Sequence, residues 1–457
     1  MDGVCFNREG SHGPGPSAPV PEPVSDTVSD TVSDTGMKRR RFLGCVAAAG
    51  VAAAGCDLAP EEGFRNACRD PRALPASQHP LVAAAWNGLD SSRVIDSHCH
   101  VFGNGANGSG LWFNPRMDDA MHPVLALQRR AFLNAACVPP GSADVDAAVI
   151  ERLRAQCEAM REGFGVLLLA FDWARDARGA PDRERSTFHV PDDYVRDLAL
   201  RFPARFAWAA SIHPYDPAAL DRLDAAAAQG ALAVKWLPTA QGIDPADARC
   251  DAFYRKLAAL RLPLVTHAGD ERAVTGFGEH LGNPLRLRRP LDAGVRVVAA
   301  HCASLGRGRD LDTPGAPMVG NFDLFARLMD DPRYGRSLLG DLAAVVQANR
   351  NDTVARLLSR PDWHDRLVNG SDYPLPGVPS LVSLRALVDR GLLDAGAVAP
   401  LRELRDHNVL SFDFVLKRSL ALEGRRFPAK VFETRRHFPP VRGTSVGSAV
   451  DPAMRAQ

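Results

Sequence analysis

Short apolar runs, each closed by a polar residue, recur along the middle of this 457-residue chain. The first is Val94-Ile95-Asp96-Ser97-His98-Cys99-His100. Others come at 165–172, near 206–212 before His213-Pro214, at Leu232-Ala233-Val234-Lys235-Trp236, and at Pro263-Leu264-Val265-Thr266-His267. Arg296-Val297-Val298-Ala299-Ala300-His301, the stretch 337–342 with Asp341 near its end, and Leu367-Val368-Asn369-Gly370-Ser371-Asp372 complete the series. A strand buried on both faces reads as such a brief Val/Leu/Ala run. Between the runs, apolar residues at helical spacing predict helices over 218–228, 252–260 and 353–358. Strands alternating with helices in this way predict an α/β fold, an eight-stranded (β/α)8 TIM barrel.

Two stretches break the alternation. After the first strand comes a long insertion, opening with a Gly/Asn/Ser segment at 103–110 that predicts a flexible loop. It continues through Trp112 and Phe113 into two predicted helices, about 121–136 and 145–162. Loops at this end of a barrel carry specificity, so the insertion is expected to be a lid or substrate wall. Beyond Pro376 further helices are expected, including 408–420, before a basic tail with Arg435, Arg436 and Arg442. There is no phosphate-binding glycine loop and no dinucleotide fingerprint.

The residues that end the runs supply the chemistry. Barrel enzymes place their sites at the C-terminal ends of the strands. Alternate residues on a strand share a side, so His98 and His100 can both face the axis, while Cys99 between them and Cys302 after His301 turn away. Two imidazoles and a carboxylate suit a zinc-like divalent ion with an open coordination position. Lys235 is expected to be buried and therefore to need a partner. His213 reads equally as a substrate contact or as a polar strand end, and Arg272 and Lys235 are candidate cations for a substrate carboxylate.

The order His98-x-His100, Lys235, His267, His301, Asp372 resembles the amidohydrolase superfamily. The closing Asn369-Gly370-Ser371-Asp372-Tyr373-Pro374 is similar to its amidohydrolase-related branch, which includes aminocarboxymuconate-semialdehyde decarboxylase. The resemblance covers 93–376. It implies a first metal on His98, His100 and Asp372, with Asp372 also moving the proton of an activated water. In a one-metal arrangement, the favoured one, His267 joins that ion and His301 is catalytic. In a two-metal arrangement a carboxylated Lys235 bridges, and His267 and His301 hold the second ion. The branch contains dimers, so a homodimer is a further expectation. The expected activity is a metal-dependent hydrolase acting on a small amide, ester or lactone. The alternatives are a decarboxylase of a small carboxylic acid and, less favoured, a lipoprotein that binds a ligand or metal without turnover.

Composition narrows the partners. The net charge of +1, with no basic tract in the body, argues against nucleic acid. Residues 1–36, with Val-Ser-Asp-Thr three times between Val24 and Thr35, are expected to be disordered or to precede the true start at Met37. Residues 37–56 read as an export signal: Lys38-Arg39-Arg40-Arg41-Phe42-Leu43 resembles a twin-arginine motif, and Ala53-Ala54-Gly55-Cys56 a lipoprotein cleavage box. Residues 57–92 are read as a linker and N-terminal extension, and 93–457 as the catalytic barrel with its C-terminal helices. The expectation is a bacterial enzyme folded before export by the twin-arginine machinery. It would be periplasmic, or tethered to the inner membrane through a lipidated Cys56. Cys68, Cys137, Cys157 and Cys250 have no zinc-ribbon spacing, and their pairing cannot be read from sequence.

Overall fold

The structure is a computed structural model that describes residues 62–73, 80–176, 178–274, 276–350 and 352–440. The signal, the candidate lipidation site Cys56 and the tail beyond 440 lie outside the described residues. Among those described, no helix is long and apolar enough to cross a membrane.

Among the described residues, eight parallel strands run in chain order. They are β1 (Ile95–His100), β2 (Gly165–Leu169), β3 (Phe206–Ala209), β4 (Val234–Trp236), β5 (Leu264–His267), β6 (Val297–Ala300), β7 (Leu338–Asp341) and β8 (Leu367–Val368). β1, β2 and β3 pair in sequence, and β4 to β8 pair in sequence. Two joints close the circle. Ala210 bridges Val234, with Lys235 N donating to Ala210 O at 2.7 Å, which joins β3 to β4. Cys99 bridges Tyr373, and Ser97 N donates to Asn369 O at 3.0 Å, which joins the β8 segment to β1. The predicted barrel is therefore present, and closure removes the open edges these strands would otherwise present.

Alternation along each strand divides its side chains between two cores. Ile95, Leu167, Leu169, Ala207, Ala209, Ala233, Val265, Val298, Leu339 and Val368 form one buried cluster inside the barrel, with Phe438 from the C-terminal segment. The intervening residues, such as Val234, Leu264, Val297 and Leu338, belong to the larger core beneath the helices. Two residues beyond Ala233, Val265 and Leu339 come Lys235, His267 and Asp341. Period-two geometry therefore stacks those polar groups one layer above the apolar plug. β1 reaches the same result differently: its register to β2 slips between Asp96 and Cys99. That irregularity lets His98 and His100 face inward although Ile95 already does.

The insertion after β1 is built rather than loose. Its helices run Pro123–Ala135 and Val145–Glu158, close to the predicted spans. A two-stranded ribbon pairs Trp112–Phe113 with Phe188–His189. Phe102, Phe113, Met117, Val145 and Val149 give the insertion its own small core. The expected flexibility of 103–110 is corrected: Asp146 accepts from Asn104 N at 2.6 Å, from Gly105 N at 3.2 Å and from the Ser109 hydroxyl. The first helix ends against the segment that follows Asp372, where a Cβ on Gly377 would lie 2.4 Å from Ala135 O.

The extension before the barrel is packed too. Glu62 pairs with Arg402 at 3.0 Å and Arg405 at 2.8 Å, and a disulfide joins Cys68 to Cys137. Among the helices that follow the barrel, Val409–Ser419 is buried at every position from Val409 to Lys417.

Candidate metal centre

Three donor atoms converge at the C-terminal end of the barrel. His98 Nε2 and His100 Nε2 lie 3.2 Å apart. Asp372 Oδ1 is 3.5 Å from the first and 3.4 Å from the second. Ligands held at ~2.0–2.1 Å from a tetrahedral ion are separated by roughly 3.4 Å, so these atoms fit one face of a zinc-like coordination shell. Three protein donors leave a position for water or substrate oxygen. His98 and Asp372 are buried, while the His100 side chain keeps 18% exposure and forms the solvent side.

Asp341 holds this face in place. Its Oδ2 accepts from His98 Nδ1 at 2.8 Å, and its Oδ1 accepts from the backbone N of His301 at 2.6 Å and of Ala343 at 3.1 Å. A proton fixed on Nδ1 leaves the Nε2 lone pair aimed at the ligand face, the usual service of a carboxylate behind a metal-bound imidazole. His98, His301 and Asp341 are themselves close enough to form a second donor group. Their atoms are already occupied, because His301 Nδ1 also donates to Ala343 O at 3.0 Å. That bond leaves His301 Nε2 as an acceptor. The imidazole stacks on His98 with centroids 5.1 Å apart.

Lys235 Nζ donates to His98 Nε2 at 2.9 Å, so the buried lysine has a partner. Burial pulls its pKa down to about 8, against the opposing charges of Asp341 and Asp372. An ammonium and an ion exclude each other at that lone pair; a neutral or carboxylated Lys235 does not. Burial likewise drives His98 and His301 well below the ordinary imidazole range, so both are neutral. For Asp372, burial pushes upward, but the imidazoles packed around it, the His100 hydrogen bond among them, outweigh that and hold the carboxyl well below its usual range.

Backbone strain is concentrated at the same place. Asp372 lies in the turn four residues past the end of β8, rather than on the strand where the sequence pattern put it, with φ 64°. Its N–H donates to His98 O at 2.8 Å, which ties the turn to β1. His301, Cys302 and Ala303 follow β6 with φ of 58°, 50° and 50°. Runs of non-glycine residues in the left-handed region persist only where surroundings over-determine them, and they gather at functional sites.

The structure does not bring every expected residue to the face. His267 lies beyond His301, 5.1 Å between ring centroids, with Nε2 3.3 Å from Asp270 O and Nδ1 3.3 Å from Glu271. His213 is fully satisfied: Nε2 donates to Gln241 O at 2.9 Å and Nδ1 accepts from Tyr215 N at 3.2 Å, so it is a packed strand end. The Arg272 side chain, 52% exposed, pairs with Asp270 at 2.6 Å. Cys99 and Cys302 point away as expected, the Cys302 thiol donating to Asp341 O at 3.2 Å.

No protein-family model and no curated protein matches this sequence. Among solved structures, an uncharacterised TIM-barrel protein from Bordetella bronchiseptica aligns over 70% of this chain and 99% of its own, at 14% identity and TM-score 0.41. A Pseudomonas putida protein named for a proposed 2-pyrone-4,6-dicarboxylic acid hydrolase activity aligns over 70% and 97%, at 16% identity and TM-score 0.39. 5-Carboxyvanillate decarboxylase from Sphingomonas paucimobilis aligns over 76% and 97%, at 13% identity and TM-score 0.40. With scores at this level, the barrel rests on the chain's own strand pairing.

Proposed function

We propose that this chain is a metal-dependent hydrolase acting on a small amide, ester or lactone. The observation that carries the reading is the three-donor face of His98, His100 and Asp372 at the mouth of a closed barrel. His98, His100 and Asp372 would hold a divalent ion of the zinc type, which would supply Lewis acidity and bring the pKa of water toward neutrality. Asp372, ionised and with one oxygen turned to both imidazoles, takes the proton of the attacking water and returns it to the leaving group. His301, neutral with its Nε2 free to accept, orients the reacting groups beside it. Asp341 keeps His98 in the tautomer the site needs. One ion remains the favoured stoichiometry, held by His98, His100 and Asp372 without the expected His267, which is turned to its own loop. Carboxylation of Lys235 is the route to a second.

A decarboxylase is the second reading, favoured by two buried cations, Lys235 beside His98 and Arg350 tied to Ser304 in the turn after His301. Zinc-loaded protein assayed on ester, lactone and aromatic-acid panels separates the two. Turnover on esters or lactones, abolished by Asp372→Ala, is the expected result. Carbon dioxide release from the acids alone would move the assignment to the lyase, and activity that survives Asp372→Ala would remove the mechanism.

On the same reading the enzyme works outside the cytoplasm, exported by the twin-arginine machinery and either periplasmic or tethered through Cys56. The Cys68–Cys137 disulfide supports export, because such bonds persist in oxidising compartments. A homodimer is the proposed assembly, checked by the mass of the protein in solution.

A further inference from the structure

Arg350 stands on the loop that leaves β7 at the C-terminal end of the barrel. Only 7% of its surface is exposed. Its N–H donates to Gln347 O at 2.9 Å, and its Nη1 donates to Ser304 Oγ at 2.9 Å, the residue that closes the turn after His301. The guanidinium is thus strapped to the loop that carries a candidate catalytic imidazole. Its Nε, shut from water, has no partner among the described residues. No carboxylate among them lies within ion-pair distance of it either.

Idle Nε donors recur among the described residues, at Arg152, Arg405 and Arg435, so it is the missing acid partner that sets Arg350 apart from buried Arg405. Buried Arg405 is paired with Glu62 at 2.8 Å, and Arg222 is held by Asp172, Asp192 and Asp216. A buried guanidinium with an idle donor is costly unless something else supplies the acceptor. The acids whose charges reach Arg350 are Asp372, Glu271 and Asp341. Two of these are committed elsewhere, Asp372 to the donor face and Asp341 to His98 and His301.

We propose that Arg350 is the anion anchor of this site, receiving a carboxylate of the substrate beside His301, so that the enzyme takes carboxylate-bearing substrates. The planar fork suits a carboxylate in two-point contact, which an ammonium does not reproduce. The assignment rests on the proposed hydrolase site for its location, but it is compatible with hydrolysis or decarboxylation of an acid. It replaces Arg272, which the structure puts at the surface.

Calorimetric titration of the full chain with benzoate and with neutral benzamide, in zinc-loaded and metal-free protein, tests it. Wild-type protein should bind benzoate at least about tenfold more tightly than benzamide in both forms. Arg350→Met should lose that preference, and Arg350→Lys should keep part of it. Equal binding of the two probes by wild-type protein, or no binding of either, overturns the proposal. So does undiminished benzoate preference in folded Arg350→Met. If Arg350→Met fails to fold, the wild-type pair and Arg350→Lys still decide. Failure of zinc to bind would count against the metal site alone, because the metal-free titration reads Arg350 independently.

Discussion

At the scale of single residues, Asp341 explains more of the site than any ligand does. It is fully buried and accepts three hydrogen bonds, from His98, His301 and Ala343. Asp341→Asn keeps the shape but replaces an acceptor with a donor group and weakens the hold on the His98 tautomer. Zinc affinity, read by chelator competition, should fall about 10–100-fold, with the fold retained. The sequence offered the signal that finds Asp341, since Leu338-Leu339-Gly340-Asp341 is an apolar run ended by a carboxylate like the others. It escaped assignment because support of a ligand leaves no pattern distinct from a polar strand end. His213 shows the reverse: a good sequence candidate that its hydrogen bonds make structural. Burial pulls its pKa down to about 4. A histidine held neutral in the fold takes up its proton more readily when unfolded. Its effect on stability is therefore nil above about pH 6.5. Stability is lost as pH falls from there toward 4, by up to about 3 kcal/mol. Urea unfolding at pH 7.5 and 5 should show a smaller loss for His213→Gln than for wild-type protein.

Elements were legible where periodicity was strong. The helices Ala219–Ala228, Asp251–Leu260 and Thr353–Leu358 lie within a residue of their predicted spans, because each has one apolar face on the barrel. β8 was read as reaching Asp372 and is only Leu367–Val368. Beyond Val368 the chain enters a turn held by side chains distant in sequence: Asp96 accepts from Ser371 N at 2.8 Å, and Lys417 donates to Gly370 O at 2.6 Å. No local pattern announces such contacts. The turn also packs tightly on β1, where a Cβ on Gly370 would lie 2.6 Å from His98 Cβ. Gly370→Ala should push Asp372 and His98 apart. Zinc binding should fall at least about tenfold, with a smaller loss of thermal stability; unchanged affinity would show that this packing does not set the donor spacing.

For the whole molecule, the barrel followed from strand count and order, whereas its tethers did not. The disulfide closes a sequence separation of 69 between the N-terminal extension and the insertion. Removing it through Cys68→Ser with Cys137→Ser should cost about 2–4 kcal/mol in chemical denaturation. The same extension grips the C-terminal helices through Glu62. The central claim is that His98, His100 and Asp372 hold a divalent ion together. Elemental mass spectrometry on protein loaded with zinc and then desalted tests it most directly. The account predicts one zinc per folded chain, lost in the folded His98→Ala, His100→Ala variant. Two ions per chain would point to a carboxylated Lys235, and no retained zinc, or zinc undiminished in that variant, would contradict the account.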